Sequence, residues 1–185
     1  KNFPLTELSS IRASELAKIM ENTYRAVTIS LMDEWGKYSE KIGVDLYEVT
    51  EAIKKRPTHS NIRVPGLGVG GYCLTKDPKF GKISADKIYN LTNFNFPVSD
   101  LALKINSNMP NHAADILIKK YKSSLKNKKL LLLGVSYIAE VGDTRHSPSE
   151  TLFKRLINNV NKIHCHDPYV TFWENLNIKV LRDLP

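Results

Sequence analysis

Cysteine is scarce: Cys73 and Cys165 are the only two in 185 residues. A disulfide framework needs several paired thiols in an oxidising compartment, so it does not organise this chain. Long apolar runs are missing too, and nothing approaches the roughly 20 residues that cross a bilayer. The opening KNFPLTELSS lacks the apolar centre of a secretory signal. These absences lead us to expect a cytoplasmic protein with no membrane contact. Acidic residues are outnumbered, 19 against 27 Lys and Arg, leaving a net charge of +8. Such an excess raises the question of nucleic acid. The basic residues are scattered, however, apart from Lys54-Lys55, Lys119-Lys120 and the KNKK run at 126–129, and none of these is interleaved with aromatics. We expect no nucleic-acid partner, and a solvated basic surface with some charge aimed at a phosphate-bearing small molecule.

What is present divides near residue 124. Between Ser14 and Lys41, Leu16, Ile19, Met20, Tyr24, Val27, Leu31 and Trp35 recur at three- and four-residue spacing, which predicts a long amphipathic helix. A second helix follows with Asp45 as cap. The stretch from Arg56 to Cys73, with two prolines and four glycines, reads as a loop. Further helices fit Lys76–Asn90 and Leu101–Tyr121, the latter bent or interrupted at Pro110. After Lys126 the pattern changes. KKLLLLGVSY reads as a buried parallel strand. Ser147, Pro148 and Glu150 then form a capping box opening a helix, and NKIHCHDP supplies a second strand, completing a right-handed βαβ unit. The expected fold is a mainly α helical domain over residues 1–124, followed by a truncated α/β Rossmann-like (parallel βαβ) domain over residues 125–185, where a doubly wound domain would need more strands.

The loop from Pro65 to Pro78, PGLGVGGYCLTKDP, is the most informative stretch. Its glycines, Gly66, Gly68, Gly70 and Gly71, let the backbone approach a ligand closely. Cys73 follows at an expected helix start, where partial positive charge favours a thiolate. Asp77, four residues on, can return to the same side. Equally, Gly-Gly-x-Cys can be a tight turn around a buried thiol. On the first helix, Lys18 and Asn22 are four apart and Arg25 continues their stripe. A solvated face accounts for Lys and Arg, whereas a mid-helix Asn is a mediocre helix former and calls for a reason. Lysine and amide together suit binding of a developing alkoxide or carbonyl oxygen.

The combination E-x-x-K-x-x-x-N-T-Y-R at Glu15–Arg25, then P-G-x-G-x-G-G-Y-C-x-x-K-D-P at Pro65–Pro78, resembles the UDP-glucose/GDP-mannose dehydrogenase family. GVGGYCLTKDP is most similar to its UDP-N-acetylhexosamine (mannosamine-type) members, and the later GVSYIAEVGDTRHSPSE and HDPYV resemble the family's C-terminal domain. The resemblance implies an NAD-dependent oxidation of a nucleotide-sugar 6-hydroxyl to a carboxylate in two steps. By that likeness Cys73 is the nucleophile that traps the aldehyde and passes through a thioester. Lys18 steadies the oxygen that gains charge, Asn22 positions it or the attacking water, and Asp77 is the acid–base group. Gly66, Gly68, Gly70, Gly71, Tyr72 and Arg25 lie against the substrate, and Arg145 faces the cofactor. The long helix at 14–41 is the expected homodimer seam.

Departures from the family pattern accompany these matches. No G-x-G-x-x-G turn follows a strand, and Gly134-Val135-Ser136 lacks the later glycines. The chain therefore reads as a fragment without the N-terminal NAD-binding domain, unable to turn over alone. Ile138 stands where the family usually has a lysine, and the arginine some members send into a neighbouring subunit has three candidate equivalents here, Arg56, His59 and Arg63. His164, Cys165 and His166 do not make a metal site: in a strand the two histidines face one way and the cysteine the other, and no further ligands lie nearby. No metal is expected.

Overall fold

Ser10 starts the longest element. In a computed structural model of the chain, which describes residues 5–183, its side chain accepts from the amide of Ala13 and caps helix α1 (Ile11–Ile42), which Gly43 ends in the left-handed conformation at φ 70°. Asp45 caps α2 (Leu46–Lys54) by accepting from the Tyr47 amide, as its position before YEV predicts. The helix expected over 76–90 is shorter. A single 3-10 turn at Asp77–Lys79 leads into α3 (Phe80–Lys87).

Helix α4 (Pro97–Tyr121) begins earlier than expected, because Pro97 at its first position has the fixed φ of a helix start and loses no needed N–H. It also runs on through Pro110 without interruption. A proline there cannot donate to the carbonyl four residues back, that of Asn106. The chain presses Gly68 against that same carbonyl: a Cβ at Gly68 would lie 2.5 Å from the Asn106 oxygen.

Helices α1 and α4 pack together through small and polar residues, not through the large apolar stripe. Ala26 and Ser30 are buried on α1, and Ala102 and Asn106 on α4, while Asp33 and Gly36 face Pro65 and Gly66 and Ala114 packs against Leu152 and Leu156. Asn106 Nδ2 donates to the Ala26 carbonyl at 3.0 Å, a contact that only a short side chain at position 26 permits. Leu16, Met20, Tyr24, Leu31 and Trp35, which the spacing singled out, all stay more than half exposed. Periodicity identified an apolar face, but most of that face is left uncovered by the described chain, with Leu16 and Met20 bordering a groove shared with Pro78, Gly81 and Phe96.

Strand β1 (Lys129–Leu133) pairs in parallel with β2 (Lys162–His166), and α5 (Pro148–Leu156) lies between them in sequence. The fold is thus mainly helical, followed by a small parallel α/β unit. β1 is not buried on both sides as its apolar run suggests. In this two-stranded sheet Leu131 and Leu133 remain exposed while Leu130 and Leu132 pack inward. A short antiparallel pair, β3 (Phe172–Trp173) with β4 (Ile178–Lys179), closes the core around fully buried Trp173, which meets Phe153 edge-on at 6.2 Å. Cys165 lies in this core, and burial pushes its thiol up to about 11. The capping box at α5 is only half made. Ser147 accepts from Ser149, but the Glu150 carboxylate goes to Lys154 and Asn175 instead of back to the Ser147 amide. Lys1–Pro4 and residues 184–185, the outer ends of the two expected regions, lie outside the described residues.

Candidate active site around Cys73

Cys73 is exposed at the end of the glycine loop. No α-helix starts there. The Cys73 carbonyl accepts from the amides of Lys76 and Asp77, at 3.1 and 2.9 Å, making a tight turn that points the chain into the 3-10 segment. Thr75 adds a hydroxyl donation to the Gly71 carbonyl at 2.9 Å. Pro78 lacks the amide that a helix beginning at Cys73 would need there and sits instead at the start of the 3-10 segment, which favours the turn over the expected helix start.

Asp77 is the buried anchor of the turn. Its Oδ2 accepts from Asn22 Nδ2 at 2.7 Å, a contact between residues 55 apart in sequence, and Asn22 itself is only 2% exposed. That is the reason for an asparagine in mid-helix: it presents a donor to a carboxylate that is largely withdrawn from solvent. Asp77 Oδ1 pairs with Lys76 Nζ at 2.6 Å, and this partnership holds the Lys76 ammonium above its ordinary range. The same ammonium sits 4.5 Å from the Tyr72 ring centroid and 4.6 Å from that of Phe80. Asn22, Asp77 and the Cys73 backbone are therefore one connected unit, joined by Lys76, to which sequence spacing assigned no role.

Lys18 and Arg25 belong to a different environment. Both are exposed, and Lys18 Nζ pairs with Glu21 one turn away at 3.1 Å. The single stripe expected for Lys18, Asn22 and Arg25 is split by burial, with the amide inside and both cations at the surface. Tyr72 is exposed, with the Arg145 guanidinium 5.9 Å from its ring centroid. Arg145 forks onto Asp143, an arrangement that raises the guanidinium and lowers the carboxyl from their ordinary values.

The glycines are spaced for packing. Gly68 abuts α4, while a Cβ at Gly70 or Gly71 would come within 2.6 or 2.7 Å of Tyr137. Gly66 is open on its Cα side; its amide donates to Asp33 Oδ1 at 3.1 Å. Asp33 is fully buried, and its Oδ2 has no partner. Burial pushes the carboxyl up to about 6, against the lowering effects of the Gly66 amide and Lys37. Sequence spacing gave no sign of Asp33, Asn106 or Tyr137 as supports of this loop.

The fit of a dinucleotide differs between two places. The turn at Gly134–Ser136 is committed elsewhere: the amides of Val135 and Ser136 and the Ser136 hydroxyl all donate to Asp167 Oδ2. Burial tends to raise the Asp167 carboxyl, but these donors and the Tyr169 amide outweigh it and hold the group below its usual range. A turn with its amides so occupied does not fit a pyrophosphate. Arg145, beside Tyr72, is paired with Asp143 but keeps 67% of its side chain exposed, which leaves it open to an anionic group at the rim. Among the described residues no group of three or more His, Cys, Asp or Glu side chains gathers as a metal site, and no helix is long and apolar enough to cross a membrane.

The glycine loop, the buried Asn22–Asp77 pair and exposed Cys73 all lie within a stretch that matches one dehydrogenase family. Residues 12–108 match the UDP-glucose/GDP-mannose dehydrogenase family, central domain, and residues 131–184 match that family's UDP binding domain. The chain belongs to this family. It is 34% identical over 162 residues to a UDP-N-acetyl-D-mannosamine dehydrogenase of Methanococcus maripaludis, covering 87% of this chain and 36% of that protein. Among solved structures it is similar to a UDP-D-ManNAc dehydrogenase from Pyrococcus horikoshii, with TM-score 0.74 and 32% identity, covering 85% of this chain and 37% of that one. An NDP-N-acetyl-D-galactosaminuronic acid dehydrogenase from Methanosarcina mazei gives TM-score 0.82 at 26% identity, covering 95% and 38%. The chain thus spans somewhat more than a third of the length of these relatives.

Proposed function

We propose that this chain is the catalytic middle and part of the nucleotide-sugar-binding region of an NAD-dependent UDP-sugar 6-dehydrogenase, with UDP-N-acetylmannosamine as preferred substrate. We read residues 1–124 as the region bearing the nucleophile and the dimer helix, and 125–185 as part of the UDP-sugar-binding domain. NAD, when bound, accepts the hydride removed in each of two oxidations, and it is held mainly by residues outside this chain, with Arg145 at the rim. The Cys73 Sγ adds to the C6 aldehyde left by the first oxidation, its proton passing to the carbonyl oxygen, to give a thiohemiacetal. Loss of the C6 hydride and the hydroxyl proton turns that adduct into a thioester. Water then breaks the C–S bond, releasing the carboxylate and the free thiol. Asp77 takes the proton from that water, and Asn22 fixes the carboxylate by its 2.7 Å hydrogen bond. Lys18, exposed at the surface, leaves Glu21 and turns to the substrate oxygen as it gains charge. Tyr72, Arg25 and the loop backbone at Gly66–Gly71 line the sugar and its phosphates. The exposed stripe of Leu16, Met20, Tyr24, Leu31 and Trp35 on α1 supports a homodimer.

The observation that carries this reading is the buried Asn22–Asp77 pair directly joined to the turn of an exposed cysteine. The test places a dinucleotide-binding domain ahead of the chain and follows NADH with UDP-N-acetylmannosamine, UDP-N-acetylglucosamine and UDP-glucose. The expected result is two NADH per sugar, abolished in Cys73→Ala. One NADH per sugar, or turnover that survives Cys73→Ala, would refute the covalent route. In the chain alone, if iodoacetamide alkylated Cys73 no faster than a small-peptide thiol, a non-catalytic nucleotide-sugar-binding module would be the better description.

A further inference from the structure

We propose that Tyr137 is a positioning residue for Cys73: its ring, wedged against the Gly70–Gly71 peptide, sets where the turn presents the thiol. The inference rests on the reading of Cys73 as nucleophile, and it concerns how one half of the chain governs the other. Tyr137 stands on a firm base. Val135, two residues before it, is fully buried, and the Val135 and Ser136 amides are clamped by Asp167. The Tyr137 amide then donates to the Asp143 carbonyl at 2.9 Å, folding the segment 137–143 back on itself.

From that base the residue fills the space that two glycines leave. A Cβ at Gly70 would be 2.6 Å from Tyr137 Cβ, and one at Gly71 would be 2.7 Å from Tyr137 Cε2. Gly71 takes φ +79°, a region that disfavours side chains, and its amide donates to the Arg145 carbonyl at 3.0 Å. The 70–71 peptide is thereby pinned by the ring on one side and by a hydrogen bond on another. Both supports come from the segment after β1. The turn beyond is built on the same peptide. Thr75 donates to the Gly71 carbonyl, and Lys76 and Asp77 donate to that of Cys73. Movement at Gly71 has no slack to absorb it before Cys73. Gly70 is also met by the His146 carbonyl and the Pro148 ring, whereas the three nearest atoms to a Cβ at Gly71 all belong to the Tyr137 ring, so removing that ring frees the peptide on its Gly71 side.

The test uses the 185-residue chain as wild type, Tyr137→Phe, Tyr137→Leu and Tyr137→Ala. Amide hydrogen exchange is read by peptide, together with iodoacetamide alkylation of Cys73, with buried Cys165 as the internal reference. In Tyr137→Ala, amides across 71–77 are expected to exchange about tenfold or more faster while those of α1, α4 and β1 keep their wild-type rates. The Cys73 alkylation rate is expected to change about fivefold or more, with Tyr137→Phe restoring both readouts. Tyr137→Leu, which keeps an apolar side chain but no ring, gives an intermediate result and serves if the alanine variant does not fold. Unchanged exchange over 71–77, or faster exchange throughout the chain with no local excess, would overturn the proposal. Both readouts report where the thiol is held and not whether it catalyses, so they stand apart from any failure of the sugar oxidation itself.

Discussion

Asp33→Asn is expected to stabilise the chain more at neutral pH than at acid pH. The Asp33 carboxyl is fully buried on α1, accepts one amide from Gly66, and leaves Oδ2 without a partner. Burial raises it from 3.8 to about 6. A carboxyl raised on folding favours the folded state when protonated. Its effect is neutral below about pH 3.8, where both states hold the proton. As pH climbs from there to about 6 the unfolded chain ionises first, and stability falls; above that window the penalty is constant. The rise corresponds to about 3 kcal/mol over the whole window, of which about 2 kcal/mol falls between pH 4 and pH 7.5. Asparagine keeps the acceptor for Gly66 and cannot ionise. It also leaves one unpartnered polar atom, as the aspartate does, so that cost is common to both pH values and cancels in their difference. Chemical denaturation at pH 4 and 7.5 should therefore give a stabilisation that grows by about 2 kcal/mol between them, or roughly 4–8 °C in melting temperature. An increment that stays flat with pH would show that water reaches the carboxylate, and the burial argument would fail.

Two further outcomes follow from the same geometry. Asn22→Leu strips the buried donor from Asp77 and should cost about 1–3 kcal/mol by urea denaturation, with a coupling of at least roughly 0.5 kcal/mol in a double-mutant cycle with Asp77→Leu; additive effects would mean that the 2.7 Å contact contributes nothing. Gly71→Ala should destabilise by about 1–3 kcal/mol, because its φ is positive and Tyr137 occupies the Cβ position, whereas Gly66→Ala should stay within about 0.5 kcal/mol, having open space and no left-handed backbone; equal effects at the two positions would refute the packing explanation.

The helices were legible wherever a local rule governs them. Ser10 and Gly43 bracket α1 by capping, and Asp45 announces α2. Facing was not legible, because a stripe such as Leu16–Met20–Tyr24 says only that a side is apolar, not what covers it. The α1–α4 contact uses Ala26, Ala102 and the Asn106 amide instead, a choice set by how closely two backbones approach. Pro110 shows a related limit. A bend or an interruption was expected from the lost hydrogen bond; the helix is not interrupted, and Gly68 packs against the freed Asn106 carbonyl. Glu150 shows the same limit at short range: its spacing from Ser147 permits a capping box, while Lys154 and Asn175 compete for the carboxylate and win.

At the candidate site, spacing picked out side chains but gave no sign of their supports. Asn22 and Asp77 were singled out from different motifs, and they meet. The four glycines were read as a cradle for a ligand, yet three of them have their Cα sides taken up by protein: Gly68 by α4, and Gly70 and Gly71 by Tyr137 and the His146 region. This changes what glycine signifies here. Its absent side chain lets a loop with no regular structure of its own be gripped by α1 through Asp33, by α4 through the Asn106 carbonyl, and by the segment after β1 through Tyr137 and Arg145. A loop held from three sides keeps its remaining surface fixed without a ligand. On that surface Tyr72 and Cys73 are the exposed side chains. If Cys73 is the nucleophile proposed above, such preorganisation serves it, since effective attack depends on holding the reacting atom within a narrow geometry. The glycines serve Cys73 by letting the protein, before any substrate, come close.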